Sequence, residues 1–491
     1  MAGLLVAGTT SDAGKSVVVT GLCRALARRG VKVAPYKAQN MSNNSMVCAG
    51  PDGAGVEIGR AQWVQAQAAR ATPEAAMNPV LLKPGSDERS HVVLMGRPWG
   101  VVSSADWLEG RRALAAAAHQ AYDHLASRYD VVIAEGAGSP AEINLRANDF
   151  VNIGLARHAG LPTVVVGDID RGGVFAAFLG TVALLSPQDQ ALIAGFVVNK
   201  FRGAENLLAP GLRDLERMTG RRVYGTLPMR PDIWLDSEDA LDLQGRRSPG
   251  SGVRRVAVAR LPRISNFTDV DALGLEPDLD VVFVSRPGDL ADADLVVLPG
   301  TRATIADLAW LRMRGLDHAV RDHAAAGRPV LGICGGFQML GRTVRDPEGV
   351  EGAAGGVEGL GLLDVETNIG AAKTLRLSEG QWRGAPSAGY EIHHGRVTIG
   401  PDVEEFLGGA RAGQVFGTMW HGALEGDALR GRFLRETLGL ESSGVSFPRA
   451  RERRLDLLGD LVAKHLDVDA LVALVENGPP HGLPFLPPGA P

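Results

Sequence analysis

Two short segments of this chain place reactive side chains where a strand turns into a helix. The first is Gly8-Thr-Thr10-Ser-Asp-Ala-Gly14-Lys15-Ser16. It follows the apolar run Leu4–Ala7 and opens a helical pattern, the setting that makes a glycine-rich run a phosphate loop. Backbone N–H groups at the start of such a helix cradle phosphate oxygens, with Thr10 and Gly14 in the cradle. Lys15 is placed to neutralise the β- and γ-phosphates of ATP, and Ser16 to offer its hydroxyl to Mg²⁺. The bland alternative is a glycine-rich turn with a chance Lys-Ser. The second segment is Val330-Leu-Gly-Ile-Cys334-Gly335-Gly-Phe-Gln. An apolar strand runs into a cysteine, two glycines and a helix, the pattern of a nucleophile elbow. The small neighbours permit the sharp turn, and the helix start is where a thiolate's charge is best tolerated. The Gly335 N–H supplies half of an oxyanion hole, and Gly300, in Leu298-Pro-Gly300-Thr after another strand, supplies the other half. The bland reading of Cys334, a core cysteine, does not need the glycines beside it.

Partners for both segments are found elsewhere in the chain. A thiolate needs a base, and His421 in Gly417-Thr-Met-Trp-His421-Gly is the candidate: a short strand ending in His and Gly. Gly389-Tyr-Glu-Ile-His393-His394-Gly reads as a further loop lining that pocket, and its paired histidines are weak evidence for zinc. Near the phosphate loop, Tyr129-Asp-Val-Val-Ile-Ala-Glu135 is an apolar strand ending in a carboxylate, suited to holding Mg²⁺ or its water shell. Glu57 is a further candidate Mg²⁺ contact, against a solvated helix-start glutamate. Asn199, at the end of another strand, either reads adenine or makes an Asx turn. Asp168, Asp170 and Arg171 follow the strand Thr163–Val166, and Lys37 follows Val33-Ala-Pro-Tyr. All four suit phosphate or carboxylate handling, with surface salt bridges as the alternative.

These residues must be positioned by sheets. Continuous apolar runs at Leu4–Ala7, Val31–Ala34, Val131–Ala134, Thr163–Val166 and Phe196–Val198 alternate with helical patterns, the first over Val17–Arg29 and closed by Gly30. Strands buried on both faces and separated by helices predict a doubly wound parallel sheet. The rhythm stops near Leu243, where a Gly-, Pro- and Arg-rich stretch reads as a linker, and restarts at Val256–Ala259, Val281–Val284, Leu295–Leu298 and Val330–Ile333. From Ser446 the leucine spacing turns helical, and a Pro-rich tail expected to fray ends the chain. The predicted organisation is α/β: a P-loop domain over 1–243, a linker over 244–252, a second α/β domain over 253–445, and a helical extension with tail over 446–491, packing on the second domain.

The chain has 491 residues, 45% hydrophobic and 22% charged, with a formal net charge of −5. That balance gives no global positive field for nucleic acid or an anionic membrane. Three cysteines, Cys23, Cys48 and Cys334, are too few and too uneven for a disulfide framework. There is no secretory leader and no long apolar span, so a cytoplasmic location is expected.

Together the motifs resemble the cobyric acid synthase family. Its marks are GTTSDAGKS, the Gln39-Asn40-Met41 turn, MNPVLLKP from Met77, DIDRGGVFA from Asp168, GICGGFQMLG and GYEIHHG. The likeness covers essentially the whole chain, and DIDRGG and NPVLLKP are its most discriminating parts. The phosphate loop is similar to that of dethiobiotin synthetase, and the Cys334 elbow to class I glutamine amidotransferases. The resemblance implies two doubly wound domains, a dethiobiotin-synthetase-like ATPase and a class I amidotransferase-like glutaminase. It implies amidation of the b, d, e and g carboxylates of adenosylcobyrinic acid a,c-diamide with ATP, Mg²⁺ and glutamine. Cys334 is then the nucleophile and His421 its partner. The corrinoid is substrate, not cofactor, since the Asp-x-His-x-x-Gly pattern of B12-dependent enzymes is absent, and no tightly bound organic cofactor is expected. A homo-oligomer is compatible with all of this. Two departures stand out. Class I enzymes usually carry His-x-Glu, but Ala423 stands where the Glu belongs, so what orients His421 is not given. The family's Lys-Pro after the second strand is Lys37-Ala38 here. The rival readings are another amide synthase on the same scaffold, a nucleotide-driven ATPase switch of the ParA/MinD kind, and a second domain that binds without catalysing.

Overall fold

A computed structural model describes residues 3–84, 89–103, 107–230 and 254–487. The expected linker, 244–252, lies outside the described residues. In the first half, the strands β1 (Gly3–Gly8), β2 (Val33–Tyr36), β3 (Val131–Glu135), β4 (Thr163–Asp168), β5 (Ile193–Phe201) and β6 (Arg222–Pro228) form one parallel sheet in the order β6-β5-β4-β1-β3-β2. The inner strands are continuous runs of Val, Ile, Leu and Ala because both faces are covered. The parallel register brings the strand ends to one edge: Val6 pairs with Glu135 and Asp168 with Asn199. That edge carries the phosphate loop and helix α1 (Lys15–Arg28), which begins at Lys15, two residues before the expected start.

The second strand begins at Val33, not Val31, because Val31 and Lys32 turn the chain off the end of α1. The expected turn at Gln39–Met41 is instead a short strand. It pairs with Val80–Pro84 in a small four-stranded sheet completed by Arg89–Leu94 and Arg97–Ser103. Helix α2 (Arg60–Ala68) follows a two-stranded hairpin and packs near β2.

In the second half, β7 (Arg254–Ala259), β8 (Leu279–Val284), β9 (Leu295–Leu298), β10 (Val330–Ile333), β11 (Glu404–Phe406), β12 (Gly409–Ala412) and β13 (Val415–Thr418) form a sheet in the order β8-β7-β9-β10-β13-β12-β11. Its first five strands are parallel and the last two antiparallel. Helix α3 (Gly335–Leu340) starts directly after β10 and Cys334. A second small sheet holds the long strands Val365–Trp382 and Ala385–Ile399. The latter contains Gly389–Gly395, so the segment expected as a loop is the middle of a strand. Its partner strand crosses it from Trp382–Ala385 back to Leu375–Ile392 and His393, and this pairing holds its backbone extended.

Helix α4 (Phe447–His465) packs mainly on α1 of the first half, and only its start is tied to the second half, which its place in the chain suggested: the Phe447 N–H donates to Asp427 and Arg451 pairs with Glu425. The reason is complementary chemistry. Leu455, Leu461 and Val462 join the buried cluster that includes Val18, Val19 and Leu22, while Arg24 and Arg28 pair with Glu452, Asp456 and Asp460. The Pro-rich tail does not simply fray. The buried guanidinium of Arg221 donates to the Pro484 carbonyl, and Leu486 N–H donates to Gln190. Among the described residues, no helix is long and apolar enough to cross a membrane.

Candidate active site

At the phosphate loop the predicted residues converge. Lys15 Nζ folds back on the loop and donates to the carbonyls of Thr10 and Ser11, both at 2.9 Å. Ser16 Oγ donates to Glu135 Oε1 at 2.9 Å, and Lys37 Nζ reaches the same oxygen at 2.9 Å. Gln65 of α2, which sequence reading did not single out, donates to Glu135 Oε2 at 2.5 Å. Burial resists a charge on Glu135, but Lys37 and Lys15 outweigh it and hold the carboxyl below its ordinary range. A hydroxyl and an ionised carboxylate converging beside a phosphate loop are the hard oxygen donors that Mg²⁺ takes.

The acidic and basic residues after β4 and β5 mesh around the loop. Asp168 Oδ2 accepts from Lys200 at 2.9 Å, Lys200 also donates to the Asp12 carbonyl, and Arg171 pairs with the Asp12 carboxylate at 3.2 Å. Asp170 accepts from Arg202. Asn199 packs beneath Gly14 and donates its amide N–H to the Ala13 carbonyl at 2.9 Å, which leaves its amide oxygen for any other contact. Glu57 is a correction. It lies fully buried and has other partners, with Lys83 and Ser45 on one oxygen and Lys373 on the other. A metal there would have to displace two ammonium groups, so Glu57 does not join Ser16 and Glu135.

The thiol site is assembled from four separate stretches. Cys334 sits between β10 and α3 with φ 51° and ψ −110°, a conformation rare for a side-chain-bearing residue and characteristic of a forced elbow. Its N–H donates to the Thr418 carbonyl at 2.8 Å, tying it to β13, and its Sγ lies 3.9 Å from the Ile392 carbonyl. His421 follows β13 and is 1% exposed. Its Nδ1 meets Asp269 Oδ2 at 2.7 Å, and the Gly422 N–H donates to Asp269 Oδ1 at 2.8 Å. With Nδ1 committed to Asp269, the other ring nitrogen is the one left to face Cys334, whose charge acts on the ring. Asp269 thus takes the place of the carboxylate that Ala423 cannot supply. The sequence signal for it was its position in the loop after β7, at the same sheet edge as Cys334.

Burial works against a charged His421 ring, but Asp269 and Cys334 both favour the proton and push its pKa up to about 10. Tyr390 stacks on the ring at 5.4 Å, and their backbones exchange hydrogen bonds of 3.0 and 2.9 Å. Gly300 and Gly335 flank the thiol. A Cβ on Gly300 would lie 2.9 Å from His421 Cε1 and 3.0 Å from the Ser265 carbonyl, so only glycine fits there. Among the described residues neither glycine's N–H makes a hydrogen bond. His393 is held between Glu391 and the Gly395 carbonyl, and His394 contacts the Gly370 carbonyl. Among the described residues no cluster of His, Cys, Asp or Glu is arranged to hold a metal.

Cys334 opens into a cavity of about 920 Å³ walled by both halves of the chain. Gln338, Thr301 and Ile392 come from the second half, and Lys83, His91 and Val101 from the first. The halves are joined around it: Tyr390 and Ile392 enter the first half's core, and Arg60 of α2 donates to Glu425 at 3.0 Å.

Comparison with known proteins places both halves. Residues 4–242 match the CobQ/CobB/MinD/ParA nucleotide binding domain, and residues 255–429 match the CobB/CobQ-like glutamine amidotransferase domain. Over 491 residues, all of this chain and all of the relative, the sequence is 82% identical to the cobyric acid synthase of Mycolicibacterium gilvum. It is 80% identical to that of Mycolicibacterium vanbaalenii over the same full span. The cobyric acid synthase of Mycobacterium tuberculosis is 77% identical over 494 aligned positions, again covering both chains in full.

Proposed function

The chain belongs to the cobyric acid synthase family and is a glutamine-dependent amide-forming ligase of cobalamin synthesis; from that premise we propose that it amidates the b, d, e and g carboxylates of adenosylcobyrinic acid a,c-diamide. The observation that carries the reading is the Cys334–His421–Asp269 array, which opens into a cavity walled by both halves. A nucleotide switch has no use for a strained thiol beside a carboxylate-held imidazole.

In this reading Cys334 attacks the side-chain amide of glutamine. The N–H groups of Gly335 and Gly300 hold the oxyanion. His421, kept protonated by Asp269, gives a proton to the departing ammonia, and water then hydrolyses the thioester to glutamate. In the first half, Lys15 and the loop N–H groups bind the phosphates of ATP. Ser16 and Glu135 would hold Mg²⁺, which when bound neutralises phosphate charge. Lys37, Asp168, Asp170 and Arg171 border the site where the acceptor carboxylate takes the γ-phosphoryl group. Activation is required because hydroxide is a poor leaving group from a carboxylate. Ammonia displaces phosphate from the acyl phosphate and leaves a carboxamide. The cavity at Cys334 is walled by both halves, so ammonia is released beside residues of the half that consumes it.

The test is Cys334→Ala. The variant is expected to lose amidation with glutamine and keep it with ammonium as nitrogen source, read by product mass. Loss of both, with the fold intact by circular dichroism, contradicts the division of labour.

A further inference from the structure

The cavity at Cys334 carries more charge than amide hydrolysis needs, and the charge is unevenly partnered. Lys83 and Lys373 are both locked on the buried carboxylate of Glu57. Burial first, then neighbouring cations, holds His91 down at about 3 and His394 at about 4, so both are neutral. His393 has both ring nitrogens engaged. That leaves Arg302. It follows Thr301 in the loop after β9, and its backbone N–H donates to the Arg263 carbonyl, which fixes its base. Among the described residues, no carboxylate lies within ion-pair distance of its guanidinium and no hydrogen bond engages it.

Glu351 lines the same cavity with the opposite sign. One of its oxygens accepts the Thr304 N–H at 2.6 Å, which aims the carboxylate, and no cation pairs with it. Its backbone N–H is pinned in turn by Asp346 at 2.9 Å. Desolvation pushes its pKa up to about 7 despite Thr304 and the more distant Arg302, the state of a carboxylate that lacks a counter-charge. Arg302 and Glu351 feel each other's charge yet do not form a salt bridge. An unpaired cation and an unpaired anion lining one cavity with a nucleophile form the complement of an amino acid's two α-charges.

We propose that Arg302 and Glu351 determine the amide donor: Arg302 takes the α-carboxylate of glutamine and Glu351 its α-ammonium, so that the side-chain amide is delivered to Cys334. The proposal rests on Cys334 being the glutaminase nucleophile. An amide lacking either α-group leaves one of the two charges in the cavity unpaired, the arrangement that gives strong discrimination.

The experiment measures kcat/KM for ammonia release from three amides: glutamine, 4-aminobutanamide, which lacks the α-carboxylate, and glutaramate, which lacks the α-amino group. The full-length chain is used, with the acceptor and MgATP present. Wild type is expected to prefer glutamine over both. Arg302→Met is expected to lower kcat/KM for glutamine on the order of 10- to 100-fold while changing 4-aminobutanamide little, so that this preference collapses. Glu351→Gln is expected to do the same against glutaramate, and Arg302→Lys to recover part of the loss. That crossed pattern supports the proposal. If Arg302→Met lowers glutamine and 4-aminobutanamide equally, at an unchanged melting temperature, the pair does not read the α-groups and the proposal is overturned. If wild type releases ammonia from none of the three, the reading of Cys334 itself fails, a result distinct from the uncrossed pattern.

Discussion

At His421 burial and charge pull in opposite directions. Burial disfavours a proton on the ring, but Asp269 at 2.7 Å and the neighbouring Cys334 raise its pKa from the ordinary 6.5 to about 10. A group whose folded pKa is raised stabilises the fold fully below its unfolded value and loses that contribution as pH rises through the folded value. The His421 contribution is therefore intact below about 6.5 and lost between there and about 10. Asp269→Asn removes the larger favourable charge. It is expected to lower glutamine-dependent kcat by about 10- to 1000-fold and to move the alkaline limb of its pH profile to lower pH, while ammonium-dependent amidation persists. A glutaminase pH profile of both proteins checks this; an unmoved alkaline limb counts against Asp269 as the orienting group. Cys334 was legible in the sequence because its elbow is local: strand, thiol, two glycines and helix lie within a few residues. Asp269 was not, because it stands 152 residues before His421 and only the meeting of two loops brings them together. Glu57 misled for the complementary reason. A glutamate just before a helical pattern is read as available until the lysines that neutralise it, one of them 316 residues away, are seen.

Among the elements, the parallel strands were the most legible, because burial on both faces writes continuous apolar runs into the sequence. Hidden from it was where the C-terminal helix docks. Its leucines announced an amphipathic helix, but amphipathicity does not name the partner surface. The structure sets α4 against α1 so closely that a Cβ on Gly21 would lie 2.3 Å from Val462 Cγ2 and 2.8 Å from the Leu458 carbonyl. A helix from the end of the chain thereby backs the helix that presents Lys15 and Ser16. Leu458 is fully buried, and Leu458→Ala is expected to destabilise the first half by about 2–5 kcal/mol. The check is denaturant unfolding with and without ATP. The transition that ATP shifts should be the one that moves; a shift confined to the ATP-insensitive transition would place α4 on the other half. The segment Gly389–Gly395 shows the reverse error: glycines at both ends read as a loop, yet a cross-strand partner of similar length holds it extended.

For the whole molecule, the two halves are more than neighbours on one chain. Tyr390, stacked on His421, is buried in the first half's core, and α2 reaches Glu135 through Gln65 and Glu425 through Arg60. The cavity between them joins the thiol to a wall built by the nucleotide-binding half. This arrangement suits a reaction in which ammonia made at one site is consumed at another. The most direct measurement is to incubate the protein with adenosylcobyrinic acid a,c-diamide, MgATP and glutamine and to follow product masses over time. A stepwise ladder of four products is expected, each replacing one OH by NH₂, dependent on both ATP and glutamine, with Cys334→Ala climbing the same ladder only when ammonium is supplied. No ladder with either nitrogen source, or a Cys334→Ala protein that still draws nitrogen from glutamine, would contradict the account.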